Sequence, residues 1–408
     1  MMKPSEKQIV SPVSPQFGAW KKVKLEEVAE SIQTGPFGSQ LHQSDYSIEG
    51  TPVIMPKDII EGKVSTETIA RVEELHVTRL ARHKVKEGEI VYSRRGDVGK
   101  CAYITKKQEG WLCGTGCLKV TINKNEASPK FIFYQLQKKS VIGWIEKHAK
   151  GATMANLNTS ILSDVPLELP SISIQDSIAT TLSRYDKLIA NYHRQIKLLE
   201  EAAQRLYKEW FVDLHFPGHE NVKVIDGVPE GWLSYNIDDV FDIKYGKNLS
   251  TKEIAPTGKY PVYGANGIIG YYDKYNCDEP VVLITSRGNG SGDVLKTYER
   301  YTFVTNNSFI VKAKVDFPYC MLPFTFGLMR SVNFRSIRTG AAQPQLTNAS
   351  IHLMNITLPT SDLIKKYCDT MEPNFKLVRH LRNQLTLLTE SRDRLLPKLM
   401  SGEIELKI

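Results

Sequence analysis

The sequence predicts an α+β chain built twice over: two tandem globular α+β units separated by two long helices that form an antiparallel coiled coil, with pseudo-two-fold symmetry. Three observations carry this reading. The segments GATMANL at 151–157 and GAAQPQL at 340–346 are diverged copies at an offset of 189, from Gly151 to Gly340. Each is followed at that same offset by a Leu-Pro pair, at 169–170 and 358–359, and then by a long heptad run. Upstream, Gly18-Ala-Trp20 and Gly231-Trp232 open the two copies at a larger offset, from Trp20 to Trp232. A duplication whose helices keep step while its globular parts drift is a repeat architecture.

The first globular unit spans 18–172, after an N-terminal stretch, 1–17, that has no apolar run and reads as a disordered tail. Short β-rich runs, Thr51-Pro-Val-Ile-Met55, Glu89-Ile-Val-Tyr92 and Leu118-Lys-Val-Thr-Ile122, alternate with glycine turns and precede a helical stretch over 131–147. A spacer helix follows over 173–215. Ile178, Leu182, Tyr185, Ile189, Tyr192, Ile196, Leu199, Ala203, Leu206 and Trp210 recur in steps of four and three, which is a coiled-coil seam. Ser173 and Asp176 have capping-box spacing at its start. At 1.5 Å per residue this rod is roughly 55 Å long.

Residues 216–359 hold a linker and the second globular unit, which repeats the order of the first: runs at 259–263, 281–285 and 309–312, then an apolar stretch at 319–330. The second spacer helix and C-terminal tail fill 360–408. Its seam is Tyr367, Met371, Asn374, Val378, Leu381, Leu385, Leu388, Arg392, Leu395 and Leu399, interrupted by the two polar residues. Pro373 is expected to kink or restart this helix, because its ring removes a backbone donor.

The 408 residues carry a net charge of +8, which favours an anionic partner such as nucleic acid. The six cysteines are scattered, and the close pair Cys113 and Cys117 lacks the other ligands of a zinc site, so neither a disulfide framework nor a metal is expected. No stretch has the length and apolarity of a membrane span, and a cytoplasmic location is expected. Arg95-Gly-Asp-Val-Gly-Lys-Cys101 lacks the first glycine and the final Ser/Thr of a phosphate loop. No nucleophile elbow, zinc-protease motif or amino-methyltransferase motif is present, so no catalytic residue is assigned.

Binding chemistry is better represented. Each unit carries an Arg-Gly turn after a β-run: Ser93-Arg94-Arg95-Gly96-Asp97 and Thr285-Ser286-Arg287-Gly288-Asn289. Arginine matches guanine O6 and N7 with two donors, asparagine pairs with adenine, and aspartate accepts from cytosine N4. Arg94, Arg95, Asp97, Arg287 and Asn289 are therefore candidate DNA-reading residues. Ser39 and Gln40 in the first unit, and Lys244, Lys247, Tyr263 and Asn266 in the second, join them because they combine cations, amides and an aromatic body near glycines. Lys150, Arg338 and Gln343 are candidate phosphate contacts.

These features together resemble the specificity subunits of type I DNA restriction–modification systems. The resemblance covers nearly the whole chain. It rests on the openings at Trp20 and Pro229-Glu-Gly-Trp232, on Gly35-Pro-Phe-Gly-Ser39, on Tyr260-Pro-Val-Tyr-Gly264 and on Gly340-Ala-Ala-Gln-Pro-Gln-Leu346. The C-terminal Arg394-Leu-Leu-Pro-Lys-Leu-Met-Ser-Gly-Glu-Ile404 is the most specific. The first copy departs at Met154-Ala-Asn156, where the second has Gln343-Pro-Gln345.

The resemblance implies two target-recognition domains reading a bipartite, asymmetric site in double-stranded DNA, with half-sites about one turn, roughly 34 Å, apart. It implies two methyltransferase subunits docked along the helices, on flanks such as Tyr207, Trp210, Phe211 and Leu396, and endonuclease/translocase subunits for cleavage. S-adenosylmethionine, ATP and Mg2+ would belong to those partners, and this chain would bind no cofactor. The competing readings are a self-sufficient DNA methyltransferase or nuclease, and a coiled-coil scaffold for proteins alone.

Overall fold

The structure, a computed structural model, describes residues 20–149, 156–340 and 344–404. It divides into two compact units, Met1–Ile189 with Leu388–Ile408, and Ala190–Leu387. The 1–17 tail expected to be disordered lies outside the described residues.

In the first unit the opening strand Lys21–Lys24 pairs antiparallel with the closing strand Pro166–Leu169, Lys21 opposite Leu169. This closure explains the spacing of Trp20 and the first Leu-Pro: the chain returns to its entry point before the spacer helix begins. The central sheet has the order Ala29–Thr34, Cys117–Ile122, Ile90–Ser93, Cys101–Tyr103. A second sheet contains Thr51–Ile54 paired in parallel with Leu112–Cys113. The expected helical stretch is two helices, Pro129–Leu136 and Lys139–His148, broken at Gln137-Lys138. Phe131, Ile132 and Leu136 are buried on Tyr92, Leu118 and Val120 of the central sheet. Burying each such side chain contributes about 1.5–3 kcal/mol.

The second unit repeats this plan. Leu233–Asn236 pairs antiparallel with Asn355–Leu358, Leu233 opposite Leu358. The central sheet runs Phe241–Tyr245, Ser308–Ala313, Val282–Thr285, Val294–Lys296, which is the first unit's order strand for strand. Tyr260–Gly264 pairs in parallel with Phe303–Val304, as Thr51–Ile54 does with its partner. The helix Leu322–Ser331 covers the sheet and buries Phe324, Leu328 and Met329.

The two long helices are Ile172–Phe211 and Ser361–Met400. All twenty seam residues read from the two heptad runs are buried or half-buried. Within the second unit the pairing runs antiparallel: Tyr367 Oη donates to the Ala203 carbonyl at 3.3 Å, and Asn374 Nδ2 to the Leu199 carbonyl at 3.2 Å. Within the first unit Arg392 meets Asp186, while Leu399 and Met400 join the core of Ile178 and Leu182, which is again antiparallel.

Two expectations about these helices are corrected. The first helix starts before Ser173: the Ser171 carbonyl accepts from the amides of Ile174 and Gln175, so Ser173 lies inside the first turn rather than capping it. The second helix runs through Pro373 without interruption. Pro373 and Asp369 are exposed, so the carbonyl that loses its donor faces water, while Cys368 and Met371 hold the flanking turns in one core.

Candidate nucleic-acid interface

The duplicated central sheets present matching loops at the same ends of their strands. In the first unit the Arg94 amide donates to the Gly116 carbonyl and the Leu157 amide to the Arg94 carbonyl, both at 2.8 Å. In the second unit the Ser286 amide donates to the Asn307 carbonyl and the Leu346 amide to the Ser286 carbonyl, again at 2.8 Å. One residue on, Arg95 forms an antiparallel bridge with Asn156, and Arg287 does so with Gln345. Gly96 and Gly288 follow with φ of 74° and 83°, a left-handed turn that glycine adopts without strain. The Arg-Gly turn and the duplicated segment thus form one backbone device in each unit.

Another glycine keeps each rim compact. A Cβ on Gly35 would stand 2.1 Å from the Gly114 carbonyl oxygen, and one on Gly246 would stand 2.3 Å from that of Thr305. Both glycines end the first strand of the central sheet, and their amides donate to the carbonyls of Cys117 and Ser308. The close approach brings the loop after that strand against the loop that supports the Arg-Gly turn.

In the first rim Arg95, Asp97 and Ser39 are exposed, and Gln40 is half-buried. Asp97 pairs with Lys100 at 3.0 Å, which competes with any base contact it makes. Gln40 Oε1 accepts from the Phe37 amide at 3.2 Å, so it closes its own turn. Arg94 is half-buried 6.0 Å from the centre of the Phe37 ring, and its Nε is buried without an acceptor among the described residues. Lys150 lies outside the described residues.

The second rim is richer. Lys247 bridges Thr305, and its carbonyl accepts from Asn306 beside the strand end that carries Arg287. Thr285 Oγ1 donates to the Ala265 carbonyl at 2.7 Å, which seats the Ala265-Asn266 turn against the Arg-Gly turn. Asn266, Arg287, Asn289 and Lys247 are all exposed. Gln345, exposed as well, bridges both Arg287 and Thr339, placing Arg338 one residue from the device. Arg338 Nε donates to the Arg335 carbonyl at 3.2 Å, and Arg335 is held by Asp293 at 2.6 Å. Gln343 lies outside the described residues.

Three sets of candidates fall away from the rims. Tyr263 is only 4% exposed and donates its hydroxyl to Glu299 Oε2 at 2.7 Å, so it is a core residue and reads no base. Burial and the neighbouring Glu299 carboxylate push its pKa up, keeping it a donor. Lys244 is exposed on the sheet and faces Asp242 at 3.4 Å. Tyr207 and Trp210, expected to be exposed flanks for a partner, are buried with Phe324 and Tyr367, and Phe211 and Leu396 are half-buried against the cores. Their helix faces turn inward because the globular units cover them.

The residues that sequence reading missed are Asn156 and Gln345, which sit beside the arginines. Their signal is the constant offset of the duplication, which sets them in register with each other but not with the turns they hold. Cys113 is a buried thiol whose pKa burial pushes up to about 12, an inert environment. Among the described residues no helix is long and apolar enough to cross a membrane.

Comparisons with known proteins bear on this architecture. The family model described as the type I restriction modification DNA specificity domain matches residues 18–201 and again 229–387. The chain is 23% identical to the specificity subunit of the type I restriction enzyme MjaIX of Methanocaldococcus jannaschii, over 95% of this chain and 94% of that one. It is 24% identical to the MjaVIII specificity subunit of the same organism, over 73% of this chain and 77% of its relative. The crystal structure of a type I restriction-modification S subunit from M. genitalium superposes with a TM-score of 0.63 at 20% identity, covering 97% of this chain and 99% of that one, and so shares its fold. With two family domains in tandem, each built on the same sheet and closed onto the long helices, the chain belongs to the specificity subunits of type I restriction–modification systems.

Proposed function

We propose that this chain is the non-catalytic DNA reader of its complex, with one half-site of a bipartite, asymmetric target assigned to each rim. The observation that carries the reading is the matched backbone device with unmatched side chains. Arg94, Arg95, Asp97 and Asn156 line one rim, and Lys247, Asn266, Arg287, Asn289 and Gln345 line the other. Matching backbones deliver different donors and acceptors, which is what two different half-sites require. Arg338 and the net charge of +8 supply phosphate attraction. Selection of duplexes from a randomised pool by the full chain tests this. The expected product is one motif with two dissimilar halves and a fixed gap; a single contiguous motif, or none, overturns it.

Two methyltransferase subunits are the expected partners on the helices, on a different face from the aromatic flanks. Leu188 and Leu198 on the first helix are 38% and 52% exposed, and their counterparts at the duplication offset, Leu377 and Leu387, are 44% and 56% exposed. Gln195 and Gln384, and Arg205 and Arg394, repeat at the same offset. Within the seam Leu199 and Leu206 are kept as Leu388 and Leu395, whereas Tyr192 corresponds to Leu381, Ala203 to Arg392 and Trp210 to Leu399. Exposed leucines that recur at one offset on both helices, where no core contact requires them, support two equivalent docking sites for one kind of partner. S-adenosylmethionine, and the ATP and Mg2+ of endonuclease/translocase subunits, would be held by those partners in the cytoplasm.

A further inference from the structure

Each unit contains a polar bridge that ties its globular part to both helices. In the first, Tyr134 on the helix Pro129–Leu136 donates its hydroxyl to Asp186 Oδ2 on the first spacer helix. Asp186 Oδ1 accepts from Arg392 Nη1 on the second spacer helix at 3.2 Å. In the second, Tyr298 donates to Glu200 Oε1 on the first spacer helix, and Arg382 Nη2 of the second spacer helix meets the same oxygen at 3.4 Å. The Arg382 guanidinium also lies over the Tyr298 ring, 4.1 Å from its centre. A lysine stacked on aromatic rings accompanies each bridge: Lys130 lies 4.0 Å from the centre of the Tyr103 ring, and Lys296 lies 3.8 Å from that of Phe326 and 3.9 Å from Glu200.

The two bridges are not copies of one ancestral feature. At the duplication offset, Asp186 corresponds to Phe375 and Arg392 to Ala203, while Glu200 corresponds to Thr389 and Arg382 to His193. Tyr134 sits on the covering helix, whereas Tyr298 lies just past the edge strand Val294–Lys296. The same three-part connection has therefore arisen at unrelated positions. Stability alone is a weak reason for it. Both ion pairs are partly exposed to water, where such pairs add little stability, and the best-attested use of a specifically placed ionic group is to fix a register. An apolar seam is non-directional and tolerates small rocking, whereas a hydroxyl–carboxylate–guanidinium chain is lost when its angles change.

We propose that Tyr134, Asp186 and Arg392, and separately Tyr298, Glu200 and Arg382, are positioning residues that hold each reading rim at one angle to the helices and so restrict the gap the protein accepts between half-sites. The proposal rests on the bipartite reading above. The bridges touch no base: their loss leaves both half-site sequences intact and broadens the gap.

The test is selection from a randomised duplex pool by the full chain and by its Asp186→Leu and Glu200→Leu variants, with Tyr134→Phe and Tyr298→Phe as the variants that delete only a hydroxyl. The expected result is unchanged bases in both halves, with the fraction of selected sequences one base pair longer or shorter in the gap rising about tenfold. Arg392→Lys, which keeps the cation, should restore most of the single-gap preference that Arg392→Leu loses. A gap distribution identical to wild type in folded Tyr134→Phe and Tyr298→Phe proteins overturns the proposal. Wild-type protein that selects no two-part motif overturns the underlying reading instead, so the two failures are distinguishable.

Discussion

The two reading rims have the same backbone and different chemistry, and the contrast locates what duplication kept and what it released. Arg95 and Arg287 stand on matching hydrogen-bond schemes, each beside a bridging partner, Asn156 or Gln345. Around them the first rim offers a half-buried guanidinium at Arg94 over Phe37, where the second has the buried Ser286 and an added amide at Asn266. The scaffold is constrained by backbone bonds that any side chain can accompany. The exposed side chains are free to change, and there the proposed half-site preferences diverge.

The largest expected effect breaks that shared backbone. Gly35→Ala and Gly246→Ala each force a Cβ into a carbonyl oxygen and should each destabilise their unit by about 3 kcal/mol. Chemical denaturation followed by circular dichroism should show similar losses for the two; a loss in one alone would mean that the rims are not built alike.

Next come the helices. On the proposed docking of two methyltransferase subunits, Leu188→Asp or Leu377→Asp should each remove one of them while leaving the chain's own melting temperature within a few degrees. Native mass spectrometry of the co-purified complex counts the subunits, and retention of both by the double variant would dismiss these docking sites.

The smallest effect concerns pH. Burial pulls the Lys130 and Lys296 amines down to about 8, against the opposing pull of Asp186 and Glu200. Lys63 and Lys187 add to the lowering at Lys130, and Arg382 and Arg330 at Lys296. Between about pH 8 and the ordinary lysine value near 10.4 the unfolded chain keeps these protons while the folded chain sheds them, so the contribution of these two lysines to stability rises with pH across that window. Above about pH 10 the buried Tyr134 and Tyr298 hydroxyls, whose pKa values are raised, act in the opposite sense, because the unfolded chain ionises first. The six buried thiols, all pushed up by burial, also act against the lysines between about pH 8 and 9.5, because the unfolded chain ionises its thiols from about pH 8.5. The lysine effect is therefore read as a difference: over that range the melting temperature of Lys296→Met should drop by a few degrees relative to that of the unsubstituted chain.

Much of the architecture is legible in the sequence because periodicity reports burial directly. The 4-3 recurrence from Ile178 to Trp210 picks out residues that are all buried or half-buried, and the runs at 51–55, 89–92 and 118–122 fall on strands. What stays hidden depends on contacts between distant residues. Nothing near Tyr263 in sequence says that Glu299 takes its hydroxyl, or near Tyr207 and Trp210 that Phe324 and Tyr367 cover them. Pro373 reads as a break because sequence does not say that its turn faces water. The tyrosine bridges leave no trace, since neither shares the offset that reveals the rest.

The central claim is that each rim reads its own half-site, and paired substitutions test it most directly. Arg287→Ala should cost about 1–3 kcal/mol and relax the motif in one half only. Arg95→Ala should relax the other half and leave the first untouched. Motif selection by the two variants side by side decides the matter. Relaxation confined to opposite halves is the predicted result, and an unchanged motif, or loss of both halves together in folded protein, would contradict it.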